Sequence, residues 1–227
     1  MCNPLLRYQA VLAAFLLGVA SASAQTTLQA NPSGSTNNGL TASGAGIFFN
    51  LSAATALTIT GMTTASSAAA NATFSIEIFT RMGTALGGPV GSGPGSSPAG
   101  WTSLGMVTVT QGPTANDISL PIDLPDFSIA GGQTVGVAIV FTGAGPRYVG
   151  TGTPPLSTFS DANLSLVTGD ARTVPFTTTG SFFSSRALTG SITYMVVPEP
   201  SSFALIALAG AGWVAIARRR ARSSRNG

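Results

Sequence analysis

The strongest constraint on how this chain folds is an alternation of apolar and polar residues with a period of two. Thr134-Val135-Gly136-Val137-Ala138-Ile139-Val140-Phe141 sends every second side chain to the same face over eight residues. Phe74-Ser75-Ile76-Glu77-Ile78 repeats the pattern, and 106–109 repeats it less cleanly. Successive Cβ atoms of a strand point to opposite sides of a sheet, so such runs read as strands with one buried face. Residues 118–124 alternate as well, but Pro121 lacks the ladder N–H and demotes this segment to an edge or a broken strand. Further strands are expected over 46–51, 56–62, 164–168 and 191–196. Asn37-Asn38-Gly39, Gly131-Gly132, 143–146 and Thr153-Pro154-Pro155 supply the turns between them. Away from the two ends no segment carries a helical stripe; 52–57 and 65–72 are Ala-rich without one. Eight or more short strands with Gly/Pro turns predict an all-β fold, an antiparallel β-sandwich or jelly roll over 25–196. The stretch 87–100, GGPVGSGPGSSPAG, is expected as a flexible surface loop within it.

Both ends depart from this pattern. Arg7, an apolar run over 11–20 and the small-x-small sequence Ala22-Ser23-Ala24 read as a signal peptide helix, 1–24, cleaved by signal peptidase after Ala24. Cys2 precedes the apolar run and leaves with it. At the other end, 203–217 is an uninterrupted apolar run followed by Arg218-Arg219-Arg220-Ala221-Arg222. This predicts a transmembrane helix with a cytoplasmic arginine stop. At ~1.5 Å per residue it is ~22 Å long, against a bilayer core of ~30 Å. A short span containing Gly210 and Gly212 suits temporary anchoring in the inner membrane.

Val197-Pro198-Glu199-Pro200-Ser201, an apolar helix and a terminal arginine cluster together resemble the PEP-CTERM sorting signal of exported bacterial proteins. The resemblance assigns 197–222 to the signal, Pro198, Glu199 and Pro200 to the motif, and Arg218, Arg219 and Arg220 to the basic stop. It implies an exosortase-type membrane protease as partner, which removes the tail and passes the protein to the cell surface or beyond.

Charge is concentrated in the parts that processing would remove. Between Gln25 and Val197 remain Arg81, Arg147, Arg172 and Arg186 against Glu77, Asp117, Asp123, Asp126, Asp161 and Asp170, four minus six, or −2. No basic patch is left for nucleic acid. That section has no Cys and no His, which excludes disulfides and the thiol or imidazole nucleophile pairs. Glu77, its one Glu, sits on the outward phase of a strand, where it reads as a solvated residue paired with Arg81. A two-carboxylate glycosidase would need a second acid facing it. Catalysis is therefore not expected.

Asp117, Asp123 and Asp126 fall within ten residues near loops. Carboxylates with backbone carbonyls suit Ca²⁺, but the spacing matches no Ca²⁺ motif, and Asp also forms turns through its own side chain. No cofactor is expected, with Ca²⁺ the one ion left open. Trp101 and Tyr148 are the candidate glycan contacts, through an exposed ring; a packed core ring is the other reading of Trp101. Arg147 and Arg186 either assist there or brace loops.

The middle of the chain also resembles an ectodomain common among PEP-CTERM proteins. The resemblance rests on Phe48-Phe49-Asn50-Leu51, Leu57-Thr58-Ile59-Thr60-Gly61, Trp101-Thr102-Ser103-Leu104-Gly105 and Gly190-Ser191-Ile192-Thr193-Tyr194, in that order. It implies a β-sandwich without an assigned activity. Where many such domains read Trp-Asn-Gly after an Arg, this chain has Ala187-Leu188-Thr189-Gly190 following Arg186. The expected function is a structural or adhesive surface or extracellular-matrix protein in contact with extracellular polysaccharide. A surface carbohydrate-binding module is the alternative, and a secreted hydrolase with an atypical carboxylate site stands behind both.

Overall fold

The computed structural model describes residues 24–31, 36–150 and 157–197. The signal peptide through Ser23, the Pro198-Glu199-Pro200 motif, the 203–217 helix and the arginine cluster lie outside the described residues.

The described regular structure is β, apart from one 3₁₀ turn at Pro94–Ser96. The strands are β1 (Gln25–Ala30), β2 (Asn38–Gly39), β3 (Gly46–Ala53), β4 (Leu57–Thr64), β5 (Thr73–Met82), β6 (Thr102–Thr110) and β7 (Ile122–Ile129). They continue with β8 (Thr134–Thr142), β9 (Arg147–Gly150), β10 (Ser157–Ser160), β11 (Leu164–Arg172), β12 (Phe182–Phe183), β13 (Arg186–Leu188) and β14 (Gly190–Val196).

Four antiparallel pairings nest inside one another: β1 with β14, β3 with β8, β4 with β7 and β5 with β6. This is one long hairpin rolled into two sheets, the connectivity of a jelly roll. One sheet runs β1-β14-β4-β7; the other runs β10-β11-β3-β8-β5-β6, with β12 on β11. Strands β13, β9 and β2 form a third, small sheet.

The main core lies between the two large sheets. Leu57, Ile59, Ile192 and Tyr194 come from one; Phe49, Ile76, Ile139 and Leu166 come from the other. Phe74 and Phe141 stack at 5.9 Å. The seven-stranded sheet is covered on its other face too, by a second cluster of Phe48, Ala85, Leu86 and Ala138 with Trp101 and Phe176 packed on it. A strand buried on both sides has no need of alternation. That explains why β3 begins Gly-Ile-Phe-Phe, four buried residues in a row.

The segment expected as a strand over 118–124 lies further along, at Ile122–Ile129. Ile118 and Ser119 make only isolated bridges. β7 is the edge of its sheet, as Pro121 and Pro125 require. The register slips opposite 59–61, so the inward phase passes from Ile122 and Leu124 to Ile129 across Pro125. β1 was not legible in advance. Only Leu28 and Ala30 of Gln-Thr-Thr-Leu-Gln-Ala are buried, and pairing with β14 makes it a strand.

Candidate functional site

The outer face of the four-stranded sheet is built from the outward phase of its strands. Thr27 on β1, Thr193 and Ser191 on β14, Thr58, Thr60 and Thr63 on β4, and Ser128 on β7 share it. Their hydroxyls meet across the strands. Thr63 and Ser191 are 2.9 Å apart, Thr58 and Ser128 3.2 Å, and Thr27 and Thr193 3.5 Å. Gln25 Nε2 donates to Thr60 Oγ1 at 3.3 Å. β-branched Thr suits a half-buried pleated surface, and its hydroxyl adds hydrogen-bonding groups that carry no charge. Gln25, Thr27, Thr60, Thr63 and Asp123 line a shallow depression on this face.

The two aromatic candidates separate in the structure. Tyr148 on β9 is 1% exposed and belongs to the main core, so it presents no ring face to a sugar. Burial raises its pKa, against the opposing pull of the Arg186 guanidinium 5.8 Å from its ring. Its place as a glycan contact is corrected on that ground. Trp101 is half-buried on the second cluster, edge-on to Phe48 at 5.8 Å and Phe176 at 5.2 Å. Its Nε1 donates to the Pro94 carbonyl at 2.9 Å. Arg147 Nε donates to Thr36 Oγ1 at 3.3 Å, and Arg186 donates to the carbonyl of Ser184 at 3.0 Å, both bracing loops.

Glu77 faces outward on β5 and accepts a 2.6 Å bond from Ser103 on β6. Arg81, expected beside it, lies over the Trp101 ring at 5.5 Å. Asp117 accepts from the Ile118 N–H at 2.8 Å, a turn contact, while Asp123 and Asp126 are exposed on β7. Among the described residues, no three His, Cys, Asp or Glu side chains gather as a metal-binding group.

Two charged residues with no advance signal organise the Gly/Pro segment. Arg172 is 2% exposed at the end of β11. It donates to Ser96 Oγ at 3.0 Å and to the Gly88 carbonyl at 2.8 Å. Its guanidinium also lies 4.9 Å from the Phe182 ring and 5.9 Å from Phe48. Asp170 accepts the Gly87 N–H at 2.6 Å. Burial pushes the Asp170 carboxyl upward, against the Gly87 bond and the Arg172 charge. Gly95 passes so close to Arg172 that a Cβ there would collide with Nε. The stretch that composition marks as a flexible loop is thus strapped across the second cluster. The signal was unreadable because Asp170 and Arg172 both follow a bulge after Thr168, and as alternate residues of β11 they bear together on a loop more than 80 residues away in sequence.

The two chain boundaries of the sandwich lie side by side. Ala24, the expected cleavage residue, is exposed just before β1, and Gln25 is the strand partner of Met195. At the far end of β14, Val196 pairs with Leu57 and the Val197 N–H donates to the Ala56 carbonyl at 2.9 Å.

A family model for the PEP-CTERM protein-sorting motif matches residues 196–220. No curated protein is found to match the chain. Among solved structures, the chain is similar to the infectious bursal disease virus VP2 subviral particle at 13% identity. That likeness covers 80% of this chain and 40% of that one, and at a TM-score of 0.16 it carries no argument. The sorting motif implies export to the cell envelope or surface and processing by an exosortase, a membrane protein. The chain is a PEP-CTERM-containing protein.

Proposed function

We propose that this protein is a non-catalytic structural or adhesive component of the cell surface or extracellular matrix. In this reading it is held in the inner membrane until its tail is removed. The observation that supports the role is the hydroxyl face of the four-stranded sheet, exemplified by Thr27, Thr193 and Thr58. Neutral hydroxyls arrayed in this way suit many weak hydrogen bonds to a neutral extracellular polysaccharide.

Sorting is tested by fractionating cells that carry the wild-type chain or Glu199→Ala. The variant should stay in the membrane fraction at a higher mass; unchanged release at unchanged mass sinks the sorting reading. Adhesion is tested by placing charge on the face with Thr27→Glu and Thr193→Glu. The doubly substituted protein should wash out of the matrix while remaining folded and processed. Equal retention overturns the adhesive role.

A further inference from the structure

The sandwich is bonded up to the edge of the sorting motif. Val196 is still in the β4 ladder, and Val197 is fixed through its N–H to the Ala56 carbonyl. The motif match itself begins at Val196, inside β14. Pro198 follows at once, so no spacer separates the residues to be read from a folded sheet. Five residues, 198–202, then lead to the apolar run at Phe203. Even fully extended, the chain from Val197 to Phe203 reaches only ~20 Å. An eight-residue strand such as β4 is itself ~27 Å long. Whatever reads the motif at a membrane surface therefore works within less than one strand length of this end of the sandwich.

The other boundary leaves from the same place, because Gln25 is paired with Met195. Both the signal-peptide side and the sorting side of the domain thus face one way.

Three turns surround Val197 and Gln25 at this end, 53–56, 130–133 and 161–163, and they are tied to one another. The Ala54 N–H donates to the Asn163 carbonyl at 2.7 Å, and the Gly132 N–H donates to the Ala53 carbonyl at 2.8 Å. Their one ionisable side chain, Asp161, is already engaged with the Asn163 and Leu164 N–H groups and the Tyr194 hydroxyl. The surface is pre-formed and lacks the basic residues that would draw it to anionic lipid.

We propose that this end of the sandwich is the docking surface for the membrane-embedded enzyme that processes Pro198-Glu199-Pro200. The inference rests on the sorting reading above and adds that the folded domain itself makes contact.

The test follows tail removal from the full-length chain in its exporting host by pulse-chase and mass. Ala54→Arg and Ala162→Arg place charge on exposed positions of the docking end; Ala70→Arg and Ala115→Arg do the same at exposed turns of the opposite end. The first pair should slow processing several-fold, and the second pair should match wild type. A Gly-Ser spacer of eight residues between Val197 and Pro198 should restore the first pair, since the enzyme then no longer meets the turns. Equal rates for both pairs overturn the docking surface, as does continued slowness in the spacer variants. If the wild-type chain itself keeps its tail, the sorting reading fails instead.

Discussion

The phenol of Tyr194 on β14 donates a 2.8 Å hydrogen bond to Asp161 Oδ2 in the turn between β10 and β11. It joins the last strand of one sheet to the margin of the other, three residues before the final bonded residue, Val197. Tyr194 is fully buried, while Asp161 lies at the surface and accepts two backbone N–H groups at 2.9 Å. Burial pushes the Asp161 carboxyl up, but those backbone bonds and the phenol outweigh it, and its pKa falls below the ordinary 3.8. Burial and the neighbouring carboxylate raise the pKa of Tyr194.

Tyr194→Phe should cost about 1 kcal/mol of stability in urea unfolding at neutral pH. Asp161→Asn should cost a similar amount, and the double variant less than the sum. Because the folded pKa of Asp161 is depressed, its contribution is present above 3.8 and is lost as pH falls through the lower folded value. The gap between wild type and Asp161→Asn should therefore close in acid. A gap independent of pH contradicts the assignment.

Asp170 has the opposite sign. Its folded pKa is raised, so the stability it contributes is full below 3.8 and is lost as pH rises through the elevated value. Asp170→Asn retains an acceptor for the Gly87 N–H without a charge to desolvate. Thermal unfolding should show the variant losing less stability than wild type as pH rises above 3.8. Parallel pH profiles would refute this.

Arg172→Lys should release the strap over the second cluster. A single ammonium cannot reproduce the fork that reaches both Ser96 and the Gly88 carbonyl. The expected loss is about 2 kcal/mol, together with new protease cleavage within 87–100. Unchanged protease resistance of that stretch would show that Arg172 does not hold it.

Gly190→Ala should be among the more damaging small substitutions. Gly190 opens β14 at φ +147, and a Cβ there would collide with the Thr63 carbonyl oxygen of the paired strand. Strain of this kind costs about 2 kcal/mol. Calorimetry on the purified variant checks it, with Ser191→Ala as a milder neighbour.

Local pattern determined a good deal of this protein. Period-two runs marked β5, β6 and β8, segments bounded by turn residues marked β3, β4, β11 and β14, and Pro121 marked an edge, because strand sidedness and proline's missing donor are properties of a few consecutive residues. The sorting motif was legible for the same reason: motif, apolar run and arginines are contiguous. Tertiary structure decided the remainder. Nothing near Tyr148 announces that a core will enclose it, and nothing near Arg172 announces a loop 84 residues away in sequence. The adjacency of Gln25 and Met195 likewise arises only when the hairpin rolls up and its outermost strands pair. Periodicity fixes which side of a strand is buried; which strand lies beside it depends on contacts between residues far apart in the chain, and those exist only in the folded molecule.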